Sequence, residues 1–334
     1  MIGVLGSSLR PASVVHQTIS RFNVSTHRVK VAILLCTYNG ERFLQAQLDS
    51  LTSQIHTDWE LWVSDDGSQD GTIAILTHFQ QQMGLSRVHI LSGPQKGFAR
   101  NFLSLISRVP DDYDLYAFSD QDDVWFEGKL SQAVFILKNT DSRYDMYCSR
   151  SQLIDADGRV LGLTRQLRHP PSFRNALVEN ISCGNTIVIT RKIKRLLQRE
   201  TLIEAVQFHD WWVYIFVSAT GGKIFFDPEY WISYRQHTQN SIGLSQGLLG
   251  IVNLVSRTLS GGFKEAVRGN LTAIESITPA LLSPDSAQVL THLLKGRSDF
   301  LVTRLRSIKV SEIHRQTRTG TLSLYYLALT NRLL

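Results

Sequence analysis

The chain reads as an α/β protein: a mixed, mostly parallel sheet with flanking helices, followed by a C-terminal helical appendage. Three observations predict this. Apolar runs of strand length alternate with helix-period segments from residue 29 to 120, polar and acidic residues fall just after those runs, and only helical periodicity remains beyond 248. Continuously apolar strands imply a sheet covered on both faces, and such sheets gather ligands at the carboxyl ends of their strands.

VKVAILLC (29–36) has the length and apolarity of a buried strand, and ERFLQAQLDSLTSQI (41–55) repeats Leu44, Leu48, Leu51 and Ile55 on one helical face. The cycle recurs with WELWVSDDG (59–67) and a helix from Thr72, then with RVHILSG (87–93) and a helix over 98–107. DLYAFSD (114–120) is a fourth strand that ends in acids. MYCSRSQLIDADGRVLG (146–162) predicts two strands joined by an Asp157-Gly158 turn, and ISCGNTIVIT (181–190) a strand running through Gly184. A helix over 209–220 and the strand KIFFD (223–227) complete this part. Three regions follow: an N-terminal extension (1–28), a catalytic domain (29–243) and a helical region (244–334) punctuated by Gly261-Gly262, Pro279 and Pro284.

With 334 residues and 43% hydrophobic content, the chain can bury a real core, which argues against disorder. Its net charge is +6, and residues 244–334 hold 11 basic and 5 acidic residues, so the whole surplus lies in the last quarter. A basic tail of this kind faces something anionic, or is a solvated helix face. Its Lys and Arg are spread along amphipathic helices with no recognition motif, so no nucleic acid is expected. Apolar stripes there (Leu248, Leu249, Ile251 and Leu254, then Leu293, Leu294, Phe300, Leu301 and Leu305) have Arg304, Arg306, Lys309, Arg315 and Arg318 nearby. They either pack on the catalytic domain or another subunit, or rest on an anionic membrane surface. Cys36, Cys148 and Cys183 show neither a disulfide framework nor zinc-ligand spacing, as expected in a reducing compartment. There is no secretory pattern at the start and no apolar run long enough to span a bilayer; a cytoplasmic protein, peripheral on the inner face of the cell membrane, is the expectation.

Five constellations carry chemistry. CTYNGE (36–41) sets an aromatic ring and small polar groups at a strand tip, where they can meet a base and ribose. VSDDGSQDGT (63–72) resembles a calcium loop, but counting from Asp66 puts Thr77 where the bidentate Glu belongs, and a strand precedes it. Calcium is therefore rejected, and Asp70 and Thr72 are read as helix caps. FSDQDDVW (118–125) crowds three carboxylates behind a strand, an arrangement that calls for a divalent cation, Mg or Mn. FHDWW (208–212) offers Asp210 as a general base among aromatic rings that suit a sugar face, with a helix cap as the simpler reading. YRQHTQNS (234–241) supplies Arg235 for phosphate and His237 as a further metal ligand.

In this order, TYNGE, SDDGSQDGT, GFARNF, SDQDDVW and HDWW resemble a family 2 glycosyltransferase of GT-A fold over about residues 29–243, and SDQDDVW with HDWW and YRQH is similar to its rhamnosyltransferase-like branch. The resemblance implies that Thr37, Tyr38, Glu41 and Asp66 face a nucleoside, that Arg100 and Asn101 lie beside it, and that Asp120 and Asp122 form the DxD pair. It implies further that Asp210 is the base. Two departures stand out: His209 occupies a position where many relatives have Glu, and Asp123 competes with Asp122 for the metal. The implied activity is inverting transfer of a sugar, rhamnose from dTDP-rhamnose being the first choice, from a nucleoside-diphosphate donor to a saccharide or lipid-linked saccharide acceptor in bacterial surface polysaccharide assembly. Two rival readings are a nucleotide-sugar nucleotidyltransferase, which CTYNGE disfavours because it is not a Gly-rich basic phosphate loop, and a non-catalytic binding or scaffold module.

Overall fold

The computed structural model describes residues 29–139, 144–199, 204–237, 262–298 and 300–334. The expected 1–28 extension, the boundary at 243/244 and the stripe Leu248, Leu249, Ile251 and Leu254 lie outside the described residues.

The first half follows the alternation read from the sequence: β1 (Val31–Thr37), α1 (Glu41–Thr52), β2 (Trp59–Asp65), α2 (Thr72–Met83), β3 (Val88–Ser92), α3 (Phe98–Arg108) and β4 (Leu115–Ser119). Strands β3, β2, β1 and β4 lie side by side and parallel. All seven residues of β1 are buried, because the sheet is covered on both sides. Its side chains alternate: Ala32, Leu34 and Cys36 enter one core, Val31, Ile33 and Leu35 the other. Each fully buried Leu or Ile contributes about 1.5–3 kcal/mol relative to exposure. The spacing in α1 is explained the same way, with Leu44, Leu48 and Leu51 fully buried.

Beyond β4 the sheet becomes mixed. A short β5 (Val124–Trp125) and α4 (Lys129–Val134) precede β6 (Met146–Ile154) and β7 (Val160–Leu163), joined by the predicted turn, where Gly158 has φ 85°. After α5 (Phe173–Ala176) come β8 (Val188–Thr190), α6 (Arg191–Arg199), α7 (His209–Ala219) and β9 (Ile224–Arg235). Strand β8 runs antiparallel to both β4 and β6, β9 runs parallel to β6, and β5 pairs antiparallel with β9. The sequence expectation needs correcting twice here. The strand through Gly184 is instead a 3-10 turn (Gly184–Thr186) with β8 beginning only at Val188, since a Cβ on Gly184 would stand 2.7 Å from His209 Nε2. The last strand is also longer than KIFFD and carries Arg235 at its end.

The C-terminal helices are α8 (Gly262–Ser276), α9 (Pro284–Leu294), α10 (Leu301–Ser311) and α11 (Arg318–Leu329). Their inner residues Leu271, Ile274, Leu293, Ile308, Leu324 and Leu327 share one core with Trp212 and Phe216 of α7, so this face is packing. Arg315 also turns inward, contrary to its grouping with the surface cations: its Nε donates to the Val178 carbonyl at 3.1 Å and its guanidinium lies 4.4 Å from the Phe263 ring centroid. Among the described residues no helix is long and apolar enough to cross a membrane.

Candidate active site

A cleft of about 920 Å³ opens at the carboxyl ends of β1, β2 and β4, where topology places the switch from parallel to mixed pairing. At one end stand Thr37, Tyr38, Asp66 and Asn101; at the other, Asp120, Asp122 and Asp210. The structure thus brings seven of the residues expected from the sequence into one cavity. Glu41, Arg100, Arg235 and His237 are not in its lining.

At the first end the loops are tied by their own hydrogen bonds. Asp66 accepts from the backbone N–H of Gln95 (2.6 Å) and Gly97 (2.8 Å), which folds the loop after β3 against the tip of β2. Asp65 takes the Thr37 hydroxyl (2.7 Å) and the N–H groups of Gly67 and Ser68. Asn101 is fixed by a reciprocal pair with Ser64, at 2.6 and 2.7 Å. Asn39 adopts φ 48°, a conformation Asn tolerates, and links its loop to Ser68 and Gln69. Glu41 accepts from Gly71 N–H (3.0 Å), while Asp70 accepts from Thr72 and Glu41 N–H; the two carboxylates hold the starts of α1 and α2 together outside the cleft. Asp70 thus braces the start of α2, whose N-cap residue is Gly71 without a side-chain cap bond and whose first residue is Thr72, and Glu41 ties the same loop from outside the cleft lining.

Gln121, which sequence reasoning passed over, joins the two ends. Its side chain accepts from Tyr38 N–H (2.9 Å) and donates to the Tyr38 carbonyl (3.0 Å), leaving the Tyr38 ring 58% exposed at the cleft's lip. An amide between acids in the DQDD run was the available signal.

At the second end the acids divide. Asp123 is wholly buried and turned away, accepting from Asn185 Nδ2 and from Arg235 N–H (3.0 Å). Asp122 instead meets His237 Nε2 at 2.8 Å, with the Phe43 ring centroid 4.9 Å from that of His237. Burial, followed by the charges of Asp122 and Asp210, pushes the Asp120 carboxyl up to about 8. Beneath this loop Lys129 is fully buried, its Nζ 3.1 Å from the Trp125 ring centroid, and burial drives its ammonium well below the usual range against the charges of Asp123 and Asp120. Arg235 was expected to meet phosphate. Its guanidinium instead serves the backbone, donating to the carbonyls of Asp122 (2.9 Å), Ala156 (3.0 Å) and Asp155 (3.2 Å).

Asp210 sits in the first turn of α7, where the helix N-terminus favours a carboxylate. Its oxygens accept from Trp211 N–H (2.7 Å) and Asn180 Nδ2 (3.0 Å), and burial still pushes its pKa up to about 6. His209 beside it is 4% exposed, with its ring 3.9 Å from Phe102 and neither nitrogen hydrogen-bonded among the described residues. Burial lowers its pKa to about 3, so it is a neutral imidazole and a poor base at neutral pH. Among the described residues no group of three or more His, Cys, Asp or Glu is gathered so that it could hold a metal ion.

Comparison with known proteins gives this geometry a context. Residues 32–200 match the model of the family described as glycosyl transferase family 2. The chain is 30% identical over 217 residues to dTDP-rhamnosyl transferase RfbG of Shigella flexneri, covering 63% of this chain and 73% of that one. It is 32% identical over 114 residues to the UDP-Glc:alpha-D-GlcNAc-diphosphoundecaprenol beta-1,3-glucosyltransferase WfgD of Escherichia coli, covering 34% and 43%. Among solved structures, TarS 1–349 of S. aureus superposes with a TM-score of 0.53 at 14% identity, over 91% of this chain and 82% of that one. The mannosyltransferase PcManGT of Pyrobaculum calidifontis gives 0.50 at 15% identity, over 92% and 88%. At these identities the two structures speak for the fold alone.

Proposed function

This chain belongs to glycosyl transferase family 2 and has the GT-A fold, and from that premise we propose that it is an inverting, metal-dependent enzyme that moves rhamnose from dTDP-rhamnose to a saccharide or lipid-linked saccharide in bacterial surface polysaccharide assembly. The similarity to the RfbG rhamnosyl transferase supports the donor. The observation that carries the mechanism is the meeting of Asp120, Asp122 and Asp210 in one cleft whose opposite end is the backbone-braced Asp66. In this reading residues 29–243 form the catalytic domain and 244–334 a helical region, and the enzyme works in the cytoplasm at the inner face of the cell membrane.

The base of the nucleotide lies between Tyr38 and Asp66, with Thr37 and Asn101 beside it, and the diphosphate reaches toward Asp120. Asp122 and His237, 2.8 Å apart, would offer one carboxylate and one imidazole to a divalent ion, Mg or Mn, with the Asp120 carboxylate beside Asp122 in the same cleft. When bound there, the ion supplies Lewis-acid stabilisation of charge on the leaving diphosphate. Asp210, held by Trp211 N–H and Asn180, takes the proton of the acceptor hydroxyl. That oxygen bonds to the anomeric carbon from the face opposite the diphosphate, the carbon–oxygen bond to the diphosphate breaks, and configuration inverts. No covalent sugar–protein intermediate is formed.

The test incubates the purified chain with a panel of nucleotide sugars, with and without Mn or Mg, and follows released nucleoside diphosphate and the anomeric configuration of the product. Metal-dependent release with dTDP-rhamnose and inverted product is expected. Retained configuration, or equal turnover in a chelator, overturns the mechanism; preference for another donor overturns the sugar assignment.

A further inference from the structure

We propose that the outward faces of α10 and α11 form a docking surface for an anionic phospholipid bilayer; the proposal rests on the glycosyltransferase reading only for its purpose. Of the fifteen large apolar side chains exposed among the described residues, seven fall within 300–334: Phe300, Leu301, Val302, Val310, Leu322, Tyr326 and Leu329. They are ordered by helix geometry. In α11, Leu322, Tyr326 and Leu329 follow the exposed Arg318 at spacings of four, four and three, making one stripe; in α10, Val302, Arg306, Lys309 and Val310 share another. The opposite faces of these helices, with Ile308, Leu324 and Leu327, are already in the core, so among the described residues the outer stripes are left exposed.

Charge selects the occupant. Residues 300–334 hold six basic residues and one acid, and that acid, Glu312, is paired with Arg174 at 3.4 Å. Arg306, Lys309, Arg318 and Arg332 are exposed. Like-charged copies of this face would repel each other, whereas an anionic bilayer takes both the cations and the apolar side chains.

The surface is also joined to the cleft. Gln316, fully buried between α10 and α11, accepts from the N–H groups of Arg168 and His169 (2.9 Å each) and donates to the His169 carbonyl (3.1 Å). The segment it grips continues on either side into Thr164, Arg165, Leu167 and Asn180, which line the cleft. A bilayer seated on α10 and α11 therefore has a fixed relation to the wall next to Asp210, as transfer to a lipid-linked hydroxyl requires.

The experiment sediments the full chain with vesicles of phosphatidylglycerol and phosphatidylcholine, and with phosphatidylcholine alone. Binding to the anionic vesicles that falls with salt is expected, and the triple change Arg306→Gln, Lys309→Gln, Arg318→Gln should weaken it about a hundredfold. A second form with Leu322→Ser, Tyr326→Ser and Leu329→Ser should lose binding while its hydrolysis of soluble nucleotide sugar is unchanged. Equal binding to both vesicle types, or no loss in either form, overturns the proposal. So does light scattering that finds a dimer dissolved by the serine form, because a second copy would then cover the face. Vesicle binding without any nucleotide-sugar turnover would instead overturn the glycosyltransferase reading and leave the docking surface standing.

Discussion

In and around the Asp66 end of the cleft the carboxylates are committed to the protein's own backbone, whereas at the other end Asp120 is crowded by the charges of Asp122 and Asp210. Asp65, Asp66, Asp70 and Glu41 all accept main-chain N–H groups. Asp120 and Asp210 are pushed up to about 8 and about 6, burial being the first cause in both and outweighing, at Asp210, the bond from Trp211 N–H. The difference teaches how the two ends divide the work. The first end is preorganised and adds stability, while the second holds carboxyls whose ionisation burial opposes, a cost that substrate and cation would relieve in the proposed reading.

The largest effect belongs to the crowded end. Asp210→Asn should leave donor affinity intact and cut transfer by about 100-fold or more, the scale of losing a general base; single-turnover transfer with donor titration separates the two, and near-normal transfer would move the base elsewhere. Because the folded-state pKa of Asp210 is raised to about 6, the base form is populated above that value. The wild-type kcat/KM should therefore rise with pH through about 6 and then level off, and Asp210→Asn should lack that limb. Next, Asp122→Ala should bring donor affinity in Mn down to the value measured in chelator without changing the circular dichroism spectrum. Calorimetric titration that shows equal affinity in the variant and the wild type would remove Asp122 from the metal.

The third prediction sets one end against the other. Asp66→Ala leaves the N–H groups of Gln95 and Gly97 unpaired, at a cost of about 1–3 kcal/mol, so thermal unfolding should come earlier. Asp120→Asn, measured without divalent ions, should unfold later. The sign follows from linkage: a carboxyl whose folded pKa lies above its unfolded value is favoured while protonated, and its ionisation costs stability as pH rises from the unfolded toward the folded pKa. A neutral Asn removes that cost. If both variants shift in the same direction, the contrast between the ends is wrong. The smallest effect is expected at Glu41: Glu41→Ala loses one exposed cap bond and should lower stability by about 0.5–1 kcal/mol while changing donor affinity less than about twofold. A larger loss of affinity would return Glu41 to the nucleoside.

Much of this was legible in the sequence because it depends on local pattern. Strand-length apolar runs and helical spacing define the β1 to β4 half, since burial on both faces of a parallel sheet demands those residues whatever the remainder does. The order of TYNGE, SDDGSQDGT, SDQDDVW and HDWW likewise pointed to the residues that line the cleft, and the family match covers all of these motifs except HDWW, which lies beyond residue 200. Chain pattern could not reveal which member of an acidic run faces inward. Asp123 is turned from the cleft by Asn185 and by Arg235, 62 and 112 residues further along, so its role is a matter of tertiary packing.

The same reason governs the other differences. Gly184 reads as part of a strand until His209 is brought against it. Arg235 reads as a phosphate ligand until β9 carries it beneath three carbonyls that need donors. In the tail, periodicity showed that the helices have apolar stripes, but which stripe meets the core is decided by docking: Arg315 and Ile308 go inside, Leu322, Tyr326 and Lys309 remain outside. The sequence by itself determined the elements and the set of chemical groups at the strand ends, because hydrophobic period and residue type act over a few residues. Only the tertiary structure decided which of those groups are satisfied and which are left to meet a ligand, because hydrogen-bond partners and desolvation come from segments far apart in the chain.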